Sequence, residues 1–261
     1  MSRLLHGCCL LLLVPFAQAA APRMEVTLAQ SNSIILLEGD LLGPVSEVRQ
    51  RVIQAEQPLI RDLHISFDAQ GQIVRAEQQV GPNPLWQSLL QRDDWGGWIS
   101  RSLVALQLGE TLSLEQQVCV YKSDARGRIT RATRVETGVG FIGITRYYYV
   151  YTPDGRVRFY LALGKSPGYG LYVYRSDGRL RQVIRHDSLT LATFTRAGHD
   201  LSSRTETAQV TDQMTCLSWD PRGNCSQMEK QEQIHASATN GQPQTVTTRY
   251  LLHQTIRYRT P

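Results

Sequence analysis

The residues best suited to chemistry in this chain are arginines that stand beside turn-forming glycines. Asp-Gly-Arg occurs at 154–156 and again at 177–179, and Arg-Gly-Arg occurs at 126–128. A guanidinium group is a planar fork of N–H donors that binds a carboxylate or a phosphate through two parallel hydrogen bonds. The sequence therefore predicts a face that binds an anionic partner, and its candidates are Arg126, Arg128, Arg131, Arg156, Arg158, Arg179 and Arg181.

The basic residues are concentrated in the middle of the chain. The whole sequence of 261 residues has a formal net charge of +5, and residues 122–187 contain 13 basic side chains against five acidic ones. A local excess of this kind attracts anionic partners in a salt-sensitive way. The competing interpretation is a solvated face on which Arg and Asp pair across strands, each pair contributing less than about 1 kcal/mol. The sequence leaves both interpretations open.

No motif in the sequence predicts catalysis or a metal site. His-Glu-x-x-His and paired Cys-x-x-Cys are absent from it. Gly-Lys-Ser-Pro-Gly at 164–168 has the Gly-x-Ser-x-Gly spacing, but it is interpreted as a long hairpin turn and not as the strand-to-helix turn that carries a nucleophile. His186-Asp187 and His199-Asp200 are sequence neighbours, which a strand would point to opposite faces. Glycines at 138, 140 and 143 imitate a dinucleotide-binding loop, but no helical pattern follows them. We therefore predict no catalytic residue, no metal and no cofactor, and we favour a non-enzymatic role without excluding an enzyme.

A recurring turn predicts the elements that position the arginines. The pattern is an aromatic residue followed by Asp and Gly, as in Phe67-Asp-Ala-Gln-Gly71 and Tyr174-Arg-Ser-Asp-Gly178. Glycine supplies the positive φ of a tight hairpin turn, and Asp bonds its own backbone there. Similar turns, flanked by strand-like alternation, contain Gly127, Gly155, Gly198 and Gly223. The fold predicted is an all-β antiparallel meander of consecutive hairpins, either an open curved sheet or a partly closed barrel.

Two segments stand apart from the hairpin pattern. Gly-Pro-Asn-Pro at 81–84 precedes an apolar segment, which predicts one short helix near 85–92 with Asn83 as its cap. Residues 81–101 are therefore a candidate sub-boundary within a single domain at 20–261. Nearer the N-terminus, alternation from Met24 and a short apolar run at 33–37 predict strands.

Residues 1–19 have the pattern of a secretory signal peptide. Arg3 precedes an apolar stretch, and Ala-Gln-Ala at 17–19 is a small-residue cleavage site. We therefore expect the protein in the periplasm or cell envelope. The segment 5–8 imitates a lipoprotein box but precedes the apolar stretch, so lipidation at Cys8 or Cys9 is an alternative. Membrane association is expected only in that lipidated form.

Three cysteines follow the signal peptide. Cys216 and Cys225 flank the turn at Gly223, within bridging distance across one hairpin, and exported proteins keep disulfides. We predict a disulfide between them, and for a loop this short it contributes about 2–3 kcal/mol in the chain-entropy model. Cys119 is predicted to be a buried small hydrophobe.

Two stretches resemble the YnfC-like family of uncharacterised bacterial envelope lipoproteins. The first is Gly-Asp-Leu-Leu-Gly-Pro-Val-Ser-Glu-Val at 39–48, ahead of the turn at 67–71. The second includes Cys216 and Cys225 and the closing segments at 248–250 and 255–258. The resemblance implies an envelope location and no particular activity. This chain departs from the family because no cysteine closes the signal peptide.

The function predicted from these features is a non-enzymatic binding or interaction module of the cell envelope. Its Arg-rich face would meet an anionic polymer or protein, and we expect no nucleic-acid partner. One alternative is a glycan-active hydrolase or transferase, which needs two carboxylates about 5–9.5 Å apart. Another is an outer-membrane β-barrel, which the alternating strands fit although the C-terminal Tyr-Arg-Thr-Pro lacks a terminal aromatic residue.

Overall fold

A computed structural model describes residues 28–37, 44–54, 57–81, 86–108, 111–237 and 243–259. The predicted signal peptide, Cys8, Cys9 and Asn83 lie outside these ranges. One helix and sixteen strands make up the described chain: α1 (Leu28–Leu37), β1 (Val45–Gln54), β2 (Gln57–Phe67), β3 (Ile73–Val80), β4 (Trp86–Arg92), β5 (Trp98–Leu108), β6 (Thr111–Ser123), β7 (Ile129–Gly138), β8 (Phe141–Tyr151), β9 (Val157–Gly164), β10 (Gly168–Tyr174), β11 (Leu180–Arg185), β12 (Ser188–Phe194), β13 (Asp200–Thr207), β14 (Val210–Trp219), β15 (Cys225–Ser237) and β16 (Pro243–Tyr258).

The sixteen strands close into a barrel. Each strand pairs antiparallel with its neighbours in sequence, and β1 pairs with β16 to complete the ring. The predicted all-β antiparallel meander is confirmed, and its sheet closes completely. Closure pairs the backbone groups of the first and last strands, which an open sheet would leave as exposed edges.

Seven hairpins turn at the barrel end where β1 begins and β16 ends, which we call the turn end. In the turn after β6, the amide of Asp124 donates to the carbonyl of Arg128, and the amide of Gly127 donates to the carbonyl of Asp124. The Asp124 carboxylate accepts from the amides of Arg126 and Arg128. Gly127 has a φ of 78°, in the left-handed region. The same backbone bonds recur in the other six turns, which confirms the predicted turn chemistry.

The helix predicted near 85–92 is wrong, because Trp86–Arg92 forms strand β4. This strand pairs with β3 on one side and β5 on the other. Leu90 points into the core and is 6% exposed. A helix of this length is costly to nucleate, whereas a strand here satisfies the backbone groups of both neighbouring strands.

The strand predicted at 33–37 is also wrong, because these residues belong to α1. The closed ring has no free edge with which this segment could pair. Inside a barrel, a segment without a strand partner must satisfy its own backbone donors and acceptors, and a helix does so. No helix in the described part of the chain is long and apolar enough to cross a membrane.

Helix α1 lies inside the barrel and blocks its turn end. Ser31 and Asn32 are 0% and 1% exposed. Ser31 Oγ donates to the carbonyl of Gly155 at 2.9 Å. Asn32 Nδ2 donates to Gln72 Oε1 and to the carbonyl of Gly127, each at 3.0 Å. Polar side chains of the helix are therefore bonded to three different hairpins.

The apolar side of α1 joins the barrel core. Ile34 packs with Val157, Tyr172 and Val183, and the residues after it pack on a second cluster around Trp98. The core is thus an apolar layer between the helix and the inner wall near the turn end. The predicted disulfide between Cys216 and Cys225 is confirmed, and it joins β14 to β15 beside one of the turns.

Candidate functional site

Three of the predicted arginines occupy equivalent places in successive turns. Arg128, Arg156 and Arg179 each follow the glycine of a turn. Each guanidinium lies over the aromatic ring of the last residue of the strand that leads into the next turn, which is β8, β10 or β12. The distances to the ring centres are 5.1 Å to Tyr151, 5.6 Å to Tyr174 and 4.9 Å to Phe194, in that order. The hydroxyls of Tyr151 and Tyr174 donate, each at 2.7 Å, to backbone carbonyls of the preceding hairpin. We call this series of contacts the turn ladder.

The ladder continues to the last strand with other residue types. His199 replaces the arginine in one turn and lies 6.0 Å from the ring of Trp219. Trp219 Nε1 donates to the carbonyl of Asp200 at 2.6 Å. In the final turn Asn224 Nδ2 donates to the hydroxyl of Tyr258 at 2.6 Å. In the recurring motif, the residue after each turn glycine therefore contacts the aromatic residue of the next hairpin, and these contacts connect neighbouring hairpins.

The ladder arginines also have carboxylate partners. Arg128 contacts Asp124 at 2.7 Å, and Arg156 contacts Asp154 at 2.8 Å. Arg179 is 4% exposed and bonds Asp200 at 2.6 Å. Burial raises the pKa of Asp200, and the charge of Arg179 opposes that rise. These three guanidinium groups already contact aromatic rings and carboxylates within the barrel, so they are poorly placed to bind an external anion.

The other four candidates, Arg126, Arg131, Arg158 and Arg181, are exposed. Strand pairing skips Arg158 on β9 and Arg181 on β11, so both are the extra residues of β-bulges. A bulge re-aims the side chain of its extra residue. Arg131 lies in the regular outward row, opposite Lys122 and Tyr148. The structure therefore divides the predicted arginine set into structural and exposed members.

Strands β8–β12 present an apolar outer face, which we call the apolar wall. On β8, exposed Ile142 and Ile144 alternate with buried Gly143 and Thr145. The register of β8–β12 aligns these outward positions into continuous rows across all five strands. The wall consists of Ile142, Ile144, Tyr148, Val150, Phe159, Leu161, Leu163, Tyr169, Leu171, Val173, Ile184, Leu189 and Leu191. Gln182 is a polar residue in the same rows, between Val173 and Leu191.

The charges on the apolar wall are all positive. Strands β8–β12, which are described in full, contain no Asp or Glu. Their basic residues are Arg146, which is exposed among the wall residues, the two exposed bulge arginines Arg158 and Arg181, and Arg185. Arg181 and Arg185 both border the smaller lumen cavity. An apolar surface with three exposed cations and no strand carboxylate is chemically suited to an amphipathic, anionic surface.

The outer face of β13–β16 and β1–β3, which we call the polar arc, is different. The change is abrupt, because Leu189 of the wall stands opposite Glu206, and Leu191 stands opposite Arg204. Arg204 and Glu206 pair at 2.6 Å. Similar exposed pairs follow around the barrel at Arg75–Glu77, Arg51–Asp62 and Arg257–Glu47. The polar arc is therefore a solvated surface on which arginines pair with acidic residues, as the competing interpretation of the sequence predicted for the arginines.

The barrel lumen beyond α1 contains two adjoining cavities of about 560 and 380 Å³. Both are lined by Asp212 and Met214 of β14, so they adjoin along this strand. The larger cavity has an apolar lining that includes Leu37, Leu63, Ile65, Met228 and Leu252. Its polar lining includes Gln50, Arg61, Asp212, Lys230 and Gln254. Among the described residues, no group of His, Cys, Asp or Glu could hold a metal ion.

The two cations of the larger cavity differ in their partners. Lys230 Nζ lies 3.2 Å from Asp212 Oδ2 and 3.8 Å from Glu232 Oε2, so its charge is compensated. Arg61 forms no ion pair with any described residue, and its buried Nε has no hydrogen-bond partner there. Burial lowers the pKa of Arg61. Arg61 is therefore a cation in the lumen whose charge the described chain does not balance.

The tyrosines of the central strands divide between the two faces of the barrel. Tyr147, Tyr149, Tyr160 and Tyr172 form a continuous inner cluster with ring centres 6.1–6.5 Å apart. Tyr148 and Tyr169 belong to the apolar wall and are 38% and 45% exposed. Cys119 is buried and forms no disulfide, and burial raises the pKa of its thiol.

Sequence reasoning missed Arg146 and Arg61 as functional candidates. Alternation along β8 carries a signal for Arg146, since it has the same parity as Ile142, Ile144 and Tyr148. No local signal distinguishes Arg61, because its inward direction depends on how the barrel closes.

The chain matches no protein-family model and no curated protein. Among solved structures, it is similar to a porin-like protein from Bacteroides uniformis, with 12% identity and a TM-score of 0.46, over 83% of this chain and 98% of that one. It is also similar to the TcdB2–TccC3 complex, with 8% identity and a TM-score of 0.27, over 75% of this chain and 16% of that one. Neither likeness is close enough to carry an argument.

Proposed function

We propose that this protein is an exported β-barrel that binds the anionic lipid surface of an envelope membrane through its apolar wall. The observation that carries the proposal is a largely apolar outward face on five strands whose charged residues are all arginines. Surfaces of this type bind membranes by burying apolar side chains while basic residues attract anionic head groups. The signal-peptide pattern at 1–19 supports the envelope location.

The apolar wall offers enough binding energy for a reversible contact. Its most exposed aliphatic side chains, Ile142, Ile144, Val150, Leu163 and Leu191, are 43–75% exposed. Fully burying a half-exposed side chain of this size contributes about 1 kcal/mol. Each arginine near an anionic membrane adds about 1 kcal/mol. After the cost of lost translational and rotational freedom, the expected result is weak, salt-sensitive binding.

The charged residues of the polar arc indicate that lipid contacts only the side of the barrel formed by the apolar wall. An outer-membrane barrel would have lipid on all sides, and an arginine at the bilayer midplane costs about 2–4 kcal/mol. Arg51, Arg204 and Arg249 are exposed on the outer face of three strands of the arc. The proposal therefore combines two predictions made from the sequence. Contact with a membrane comes from the outer-membrane alternative, and exposed arginines that bind an anionic partner come from the binding-module prediction. It also departs from the expectation that only lipidation would bring the chain to a membrane.

A second copy of this chain fits the apolar wall less well than an anionic membrane does. Two walls brought face to face would place Arg146, Arg158 and Arg181 of one copy near the same residues of the other. Like charges at an interface of this kind cost free energy, and no strand carboxylate of the wall is available to pair with them. An anionic lipid surface satisfies the same arginines.

The proposal is tested by sedimenting the mature protein with vesicles. Wild type is expected to bind phosphatidylglycerol-containing vesicles, to bind pure phosphatidylcholine weakly, and to be released by high salt or carbonate. The triple variant Arg146→Gln/Arg158→Gln/Arg181→Gln should lose affinity roughly a hundredfold, from about 1 kcal/mol per arginine. The matched control Arg51→Gln/Arg75→Gln/Arg204→Gln removes the same charge from the polar arc and should bind like wild type.

Three results would overturn the proposal. Equal loss in both triple variants would mean that net charge, and not the wall, drives binding. Equally strong binding to soluble dextran sulfate would favour an anionic polymer as the partner. Resistance to carbonate would indicate a barrel that spans the membrane.

A further inference from the structure

We infer that the barrel lumen is a binding site for one amphipathic molecule with an anionic head group and a single alkyl chain, such as a long-chain carboxylate. The larger cavity, at about 560 Å³, falls in the range of small-molecule sites, roughly 300–1,000 Å³. Its lining combines apolar side chains with polar and charged ones, so it can take a molecule that has both kinds of surface. The inference concerns the inside of the barrel and does not rest on the function proposed for the outer wall.

Arg61 supplies the anion-binding group. It lines the cavity, and no described carboxylate lies within ion-pair distance of it. Arg61 is half-buried and its buried Nε has no partner among the described residues, so a carboxylate that forms two hydrogen bonds with the guanidinium would satisfy it. Lys230, the other cation of the lining, already contacts two carboxylates and does not need a ligand.

The order of side chains along β2 sets the orientation of the ligand. The inward positions from the middle of the strand toward the turn end are Arg61, Leu63 and Ile65, and the last two line the same cavity. Leu37 of α1 contributes at the turn end, so the helix forms an apolar floor. The head group therefore lies at Arg61, toward the end opposite α1, and the alkyl chain points at the helix.

Two methionines in the lining of the cavity suit an alkyl chain. Met214 on β14 and Met228 on β15 line it beside Leu252, four and three strands around the ring from β2, which carries Arg61. Methionine is unbranched and flexible, so it packs against chains of different length and bend. A class of ligands with one charged end and variable chains fits this lining better than a rigid polar molecule.

The experiment is calorimetric titration of the mature protein with dodecanoate and with dodecanol, both below the concentration at which dodecanoate forms micelles. Wild type is expected to bind dodecanoate more tightly than dodecanol. Arg61→Gln should weaken dodecanoate binding roughly tenfold to a hundredfold, the range for a lost charged hydrogen bond, and leave dodecanol binding unchanged. Arg51→Gln, which removes an outward arginine from the adjacent strand, is the matched control and should bind like wild type.

Two further variants separate the lumen from the outer wall. Met228→Trp fills the cavity and should weaken binding of both probes. The wall variant Arg146→Gln/Arg158→Gln, which changes no residue that lines the lumen cavities, should bind dodecanoate like wild type, so failure of the membrane proposal would leave this result unaffected. Thermal melting of Arg61→Gln without ligand should be no lower than that of wild type, since the change removes an unbalanced charge.

The inference would be overturned by equal dodecanoate affinity in wild type and Arg61→Gln, or by equal affinity of wild type for the two probes. Loss of binding only in the wall variant would place the ligand on the outer surface. No binding of either probe to wild type would also overturn it.

Discussion

Replacing Asn32 with alanine tests how helix α1 is held inside the barrel. The Asn32 side chain is 1% exposed and makes three hydrogen bonds. Its Nδ2 donates to Gln72 Oε1 and to the carbonyl of Gly127 at 3.0 Å, and its Oδ1 accepts from the amide of Ile129 at 3.3 Å. One polar side chain thus connects the helix to two hairpin turns that are far apart in sequence.

The expected loss follows from these bonds. A net contribution of about 1 kcal/mol for each hydrogen bond gives a loss of about 3 kcal/mol in the free energy of unfolding. For a chain of this size, 1 kcal/mol lowers the melting temperature by about 2–4 °C, so Asn32→Ala should melt about 6–12 °C below wild type. Ser31→Ala removes one bond, from Ser31 Oγ to the carbonyl of Gly155, and should lower the melting temperature by about 2–4 °C.

The assay is differential scanning calorimetry of wild type and both variants under identical conditions. The comparison uses two neighbouring buried positions of one helix, so helix propensity and burial are closely matched. An Asn32→Ala shift no larger than that of Ser31→Ala would refute the reasoning, because the three bonds would then add nothing beyond one.

Three other changes test separate parts of the barrel. Replacing Cys216 and Cys225 together with alanine should cost about 2–3 kcal/mol of unfolding free energy, measured by urea denaturation, and an unchanged midpoint would contradict a stabilising role. Tyr174→Phe removes the hydroxyl of the turn ladder and should cost about 1 kcal/mol, while Tyr174→Leu also removes the ring beneath the arginine and should cost more; equal losses would exclude a stabilising stacking contact. The hydrogen bond from Arg49 holds the pKa of Glu47 below its usual range, so this stabilisation is present above the ordinary value of 4.5 and is lost as the pH falls through the folded value. Glu47→Gln should therefore lower the melting temperature at neutral pH and flatten its fall on acidification, and parallel pH curves for the two proteins would count against this.

The turns were predictable because their determinants are local. Asp124 and Gly127 lie in one turn, and their chemistry specifies it whatever the rest of the chain does. The disulfide was predictable for the same reason, since Cys216 and Cys225 flank a single turn. A train of such turns implies an antiparallel meander.

Features that depend on barrel closure were not predictable from local patterns. The segment at 33–37 is apolar enough for a strand, but pairing of β1 with β16 leaves it no edge, and it becomes helical. Trp86–Arg92 has a helical start signal in sequence, yet it lies between two strands that both need a partner. In both segments, long-range backbone pairing outweighed local propensity.

The arginine site was predictable only in part. The sequence places Arg156 and Arg158 two residues apart beside one turn, and nothing local indicates that one stacks on Tyr174 while the other is exposed in a bulge. The aromatic partner belongs to the next hairpin, so the distinction requires the register between strands. Arg146 could have been included by following the alternation of β8.

The most direct test of the central claim asks which side of the barrel touches lipid. Leu161→Trp places a fluorophore on the apolar wall, and Leu217→Trp places one on the polar arc, where the replaced leucines are 40% and 47% exposed. Each variant is mixed with phosphatidylglycerol vesicles that contain brominated acyl chains, and emission is compared with that of wild type. The account predicts that the added emission of Leu161→Trp shifts to the blue and is quenched, while that of Leu217→Trp does neither. Equal quenching of both, or stronger quenching of Leu217→Trp, would contradict it.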